Sequence, residues 1–133
     1  GSLLIGNQDT IRMARRYRKV MGGGMRQVGY LAAACIYALD HHIPLLKRDN
    51  DCAKVVSKVL EGLSYIKEIK PVSTNIIIFQ LMDDIKDIEF VDKLKAKGIL
   101  ATPFGENTIR FVFHLDITDD MMESLVRLLP HII

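Results

Sequence analysis

The chain has 133 residues, 49% hydrophobic and 26% charged, an ordinary balance for one globular domain with a real core and too little length for two. A net charge of +2 excludes a polyelectrolyte, although residues 1–30 hold six Lys/Arg against Asp9 alone. No apolar run approaches the roughly 18 residues of a membrane span, no secretory signal is visible, and Cys35 and Cys52 fit neither a disulfide framework nor a metal site, reading instead as free buried thiols of a reducing, cytoplasmic compartment.

The chain opens on SLLIG (2–6), a short apolar strand of the kind found inside a sheet, with no earlier strand to pair with. Asn7 to Asp9 offer N-caps for a helix running to about Met21. Met13, Ala14, Tyr17, Val20 and Met21 share one of its faces; Arg12, Arg15, Arg16 and Lys19 share the other. Three glycines at 22–24 end it. A second helix from about Met25 to His41 is apolar almost all round and Ala-rich, which predicts a tightly packed, largely buried element. Pro44 breaks the pattern, and Asp49 or Asn50 then caps a third helix with Cys52, Val55, Val56, Val59, Leu60 and Leu63 on one stripe.

Beyond it the texture changes. NIIIFQL (75–81) reads as a strand, 85–97 as a helix ending at Gly98, ILAT (99–102) as a short strand, TIRFVF (108–113) as another, and 117–129 as a helix capped by Thr118. The order β-α-β-β-α describes a small α/β sandwich with an antiparallel hairpin across PFGEN.

Three features carry possible chemistry. The Arg12/Arg15/Arg16/Lys19 face has no interleaved aromatics for base stacking, so it fits a solvated face or a subunit contact better than a nucleic-acid track. GGGMR places glycines before a helix N-terminus, with Lys19 and Arg26 able to close on a phosphate, although three glycines also make a plain loop. Arg110, mid-strand, alternates with Thr108 and Val112 on one face while Ile109, Phe111 and Phe113 take the other; it is either a surface residue or a carboxylate clamp. His41 and His42 sit at a helix end, His114 precedes Asp116, and no Ser/His/Asp, Cys/His or metal constellation assembles.

Taken together, RRYRKVMGGGMRQVGYLAAACIYALDHH and TNIIIF…TIRFVFHLD resemble the low-specificity threonine aldolases, pyridoxal-phosphate enzymes of the aspartate-aminotransferase-like fold. The resemblance covers essentially the whole chain. It implies retro-aldol cleavage of L-threonine or L-allo-threonine to glycine and acetaldehyde, pyridoxal 5'-phosphate as cofactor, an amino-acid substrate and a homotetramer, with no nucleic-acid or membrane partner. It matches Lys19 and Arg26 to basic residues near the cofactor phosphate at a subunit boundary, and Arg110 to the arginine that holds the substrate carboxylate.

The family's Schiff-base lysine lies a few residues ahead of the match to Gly1, so the resemblance implies the C-terminal portion of a fold-type I enzyme, with no catalytic lysine and no turnover by this stretch alone. Residues 1–44 are then a remnant of the large domain with subunit-contact helices, and 45–133 the small C-terminal α/β domain. The alternative is a non-catalytic interaction module that binds an acidic partner or a paralogue through the basic helix 12–19.

Overall fold

Asn7 starts the first helix as its residue type suggests, its side-chain oxygen accepting the Thr10 N–H at 2.9 Å. The computed structural model describes residues 3–133, which divide into a first compact unit ending at Ile43 and a second spanning Pro44–Ile133.

In the first unit, α1 (Gln8–Val20) is followed by a turn and α2 (Gly29–His41). Gly22, at φ 81°, lets the chain leave α1 in the left-handed region that glycine adopts freely. Four expectations fail here. Residues 3–6 pair with no strand, because no neighbour offers them a ladder; Ser2 lies outside the described residues. The second helix starts at Gly29 rather than Met25, because Gln27 at φ 50° cannot belong to a right-handed helix. Nor is it buried: no α2 residue is, and Tyr30 is 87% exposed. Its Cys35 is accordingly exposed, not a core thiol, and Cys52 is half-buried; both are free. At the helix end, His41 donates through Nδ1 to the Tyr37 carbonyl at 3.0 Å, its ring stacked on that of Tyr37.

A 3-10 turn, Ile43–Leu45, spans the boundary in the chain and leads directly into α3 (Leu46–Glu61) of the second unit. The helix therefore starts one turn before the expected cap, and Asp49 lies inside its first turn, buried. Then come β1 (Ile66–Ile69), β2 (Ile76–Leu81), α4 (Asp87–Ala96), β3 (Thr102–Pro103), β4 (Thr108–Val112) and α5 (Asp119–Leu128), with a final 3-10 turn at Leu129–His131. β1 was not expected; an irregularity between Ile66 and Glu68 breaks the alternation that marks a strand. The strand expected at 99–102 shrinks to Thr102–Pro103.

The four strands form one antiparallel sheet in the order β1-β2-β4-β3, so β4 is central and the PFGEN hairpin is present as expected. Odd-numbered residues of β2 and β4 (Ile77, Phe79, Leu81, Ile109, Phe111) are buried with Phe113 against Val56 and Leu60 of α3, Phe90 and Leu94 of α4, and Met122 of α5. Phe79 meets Phe90 and Phe111 edge-to-face, an arrangement that suits the ring quadrupoles. Helices thus cover one sheet face. The even-numbered residues Ile76, Ile78, Gln80, Thr108, Arg110 and Val112 point the other way, and none of them is buried.

Candidate functional site

Arg110 stands in the middle of that open face. Ile78 on β2 lies opposite it on one side and Thr102 on β3 on the other. Its Nε is buried and has no hydrogen-bond partner among the described residues. A buried donor left unpaired costs about 1–3 kcal/mol, so the position favours a ligand that supplies an acceptor. The guanidinium carbon sits 5.1 Å from the centroid of the Phe104 ring, within cation–π range. No carboxylate lies within ion-pair distance of Arg110 among the described residues; the ion pairs there are elsewhere, such as Arg48–Asp119 at 2.6 Å. A forked donor group in an apolar setting, unneutralised, is suited to a planar anion.

Just past β4, His114 Nδ1 lies 3.5 Å from Asp116 Oδ2 and weakly accepts the Asp116 N–H at 3.4 Å. Both side chains are exposed, and the pair closes a local turn rather than a relay.

In the first unit, the glycine turn makes room for Lys19. A Cβ added at Gly24 would lie 2.6 Å from Lys19 Cδ and 3.4 Å from its Nζ, so the lysine side chain lies across Gly24 and would swing aside for a larger residue. Gly23 is similarly close to Arg18, 3.0 Å from its Cγ. Arg26 is not in the first turn of α2, as expected, but in the turn preceding it. Arg15, Arg16, Lys19 and Arg26 are exposed and have no carboxylate within ion-pair distance among the described residues, whereas Arg12 pairs with Asp9 at 3.1 Å. Lys19 and Arg26 thus belong to the first unit and Arg110 to the second.

Reading the sequence missed Phe104, which was treated only as part of a turn. The signal was present: the hairpin places it on the same face as Arg110, because residues 102, 104, 108 and 110 are all even-numbered across the paired strands. No group of side chains suited to a metal ion occurs among the described residues, and no helix there is long and apolar enough to cross a membrane.

Known proteins similar to this chain are mostly enzymes of amino-acid metabolism by name. The chain is 36% identical over 129 residues to a probable low-specificity L-threonine aldolase of Schizosaccharomyces pombe, covering 97% of this chain and 32% of that protein. It is 38% identical to low-specificity L-threonine aldolase 1 of Arabidopsis thaliana (89% and 34% covered) and 36% identical to the low specificity L-threonine aldolase of Escherichia coli K12 (94% and 36%). The chain therefore spans about a third of the length of these relatives. Among solved structures, the acetylornithine aminotransferase of Elizabethkingia anophelis superposes with a TM-score of 0.52 at 22% identity, over 66% of this chain and 24% of that one. An ornithine aminotransferase from Plasmodium yoelii gives 0.51 at 13%, over 62% and 22%. These likenesses show the aminotransferase fold, as the sequence resemblance implied. Residues 1–84, from the first residue through the whole of β2, match the model of one family, and the chain belongs to it: the beta-eliminating lyases.

Proposed function

We propose that the complete protein is a pyridoxal-phosphate-dependent threonine aldolase that cleaves L-threonine or L-allo-threonine to glycine and acetaldehyde. Its relatives' names support the reaction, and the observation that carries the assignment of a residue is the buried, unpartnered Nε of Arg110 on the open sheet face. In this reading Arg110 receives the substrate carboxylate with two parallel N–H···O bonds and fixes the orientation of the Cα–Cβ bond. Pyridoxal phosphate, when bound, supplies an electron sink for the bond that breaks. Lys19, laid back over Gly24, and Arg26 give the cofactor's phosphate a compact ammonium and a planar fork, and having no carboxylate within ion-pair distance among the described residues suits them to it. Residues 1–44 then belong to the large domain and 45–133 to the small one, and the protein assembles as a homo-oligomer.

The test is Arg110→Gln in the complete protein, assayed by acetaldehyde release. Losing a bidentate, charge-assisted pair lowers kcat/KM for L-threonine by roughly 100-fold. An unchanged kcat/KM would remove Arg110 from the site. Lys19→Ala and Arg26→Ala separately weaken cofactor binding, read by dialysis and absorbance.

A second reading has one observation in its favour: Arg15, Arg16 and Lys19 form an exposed cationic row on α1 with no ion-pair partner among the described residues. In that reading the row binds an acidic protein surface or a paralogue. Charge reversal at Arg15 and Arg16, which the first reading leaves outside the cofactor site, then abolishes a salt-sensitive complex and leaves acetaldehyde release untouched.

A further inference from the structure

Phe104 keeps half its surface exposed at the tip of the β3–β4 hairpin, a costly place for an aromatic ring without a task. Its backbone is nonetheless fixed. Its N–H donates to the Thr108 carbonyl at 2.8 Å, the Thr108 N–H returns to the Gly105 carbonyl at 3.1 Å, and the Thr108 hydroxyl donates to the Glu106 carbonyl at 2.9 Å. Gly105 at φ 136° and Asn107 at φ 48° turn the chain, and the Asn107 carbonyl accepts the Leu81 N–H at 2.8 Å, which ties the turn to β2. Because Thr102 lies opposite Arg110, Phe104 is the diagonal neighbour of Arg110 on the same face. That register brings its ring to 5.1 Å from the guanidinium carbon.

We propose that Phe104 is a positioning residue for Arg110, holding the plane of the guanidinium so that its fork is already aimed when a carboxylate arrives. The chemistry explains why the partner is aromatic. A guanidinium can be held by its edge or by its face. A glutamate would hold it by the edge and occupy the N–H groups the substrate needs. A ring holds it by the face, through attraction to the π-cloud, and leaves the edge free. An arginine without such a partner must give up side-chain rotamer freedom on binding, and pre-organisation removes part of that loss. The inference rests on Arg110 being the carboxylate anchor.

The experiment separates the two claims. The full 133-residue chain, 15N-labelled at arginine, is titrated with acetate as the bare carboxylate while the Arg110 Nε–H resonance is followed; Arg110→Lys assigns it. In the wild type the resonance is displaced by the Phe104 ring current and shifts further with acetate. Phe104→Leu removes the ring-current displacement and weakens acetate binding roughly 3- to 10-fold; Phe104→Tyr preserves both. A wild-type response that Phe104→Leu leaves unchanged in affinity overturns the positioning role alone. No acetate response at Arg110 in the wild type overturns the anchor and the positioning role together.

Discussion

Tyr65, four residues past α3, has a buried hydroxyl that donates to the Leu129 carbonyl at 2.6 Å and so ties this stretch to the C-terminal turn. Burial pushes its pKa up to about 12 from the usual 10.0. The folded state therefore holds the proton more tightly than the unfolded chain. The resulting stability is complete below pH 10 and is lost as pH rises from 10 toward about 12. Tyr65→Phe removes this dependence, so wild type minus variant, measured by urea unfolding, falls across that window while other titrating groups cancel. At neutral pH the substitution costs about 1 kcal/mol, the low end for a buried bond, because the Leu129 carbonyl keeps the Ile132 N–H at 3.3 Å. A flat difference from neutral pH to pH 12 would falsify the buried-hydroxyl account. The same scale shows what sequence can carry. Arg110 was placed on the correct strand face by alternation alone. Phe104 was not joined to it, because cross-strand register, and not spacing along the chain, makes them neighbours.

The element whose start was read most closely is α5. Thr118 caps it as expected, its hydroxyl accepting the Met121 N–H at 3.3 Å, with Asp119 and Asp120 in the first turn where the helix dipole favours them. Arg48 reaches across from α3 to donate to the Ile117 carbonyl at 2.8 Å and to Asp119 at 2.6 Å. Thr118→Ala thus costs about 1 kcal/mol while Thr118→Ser costs little, a contrast read from paired thermal melts; equal melts for the two variants would mean the hydroxyl is not the cap. Caps of this kind are local chemistry, written within four residues, and so they could be read. β1 could not, because its irregularity interrupts the period that identifies a strand. α2 misled for a different reason. An apolar helix surface predicts burial, but it says nothing about which atoms cover it, and none of its side chains is fully buried by the described residues.

At the scale of the whole molecule, burial is divided unequally. Every buried hydrophobic side chain, from Ala53 to Ile132, lies in the second unit, as do the buried polar residues Asp49, Ser57 and Asn107. Residues 3–43 bury none, yet expose Leu3, Leu4, Ile5, Tyr17, Tyr30, Leu31, Ile36 and Tyr37 among others. A segment of about 90 residues with a complete core and four paired strands is large enough to fold independently. Excised residues 44–133 should therefore unfold cooperatively, with a Tm within about 5 °C of the transition of the full chain. The first unit has the opposite physical character: this many large apolar side chains exposed in a short stretch favours binding to other apolar surface. The full chain should accordingly self-associate at concentrations where the excised segment stays monomeric, and should enhance the fluorescence of a hydrophobic dye where the segment does not. Sedimentation velocity on the two proteins decides the matter. If the excised segment melts broadly or binds the dye as strongly as the full chain, its core is not self-sufficient. If both proteins stay monomeric, the apolar residues of α1 and α2 are not sticky, and their assignment to subunit contacts loses its physical basis.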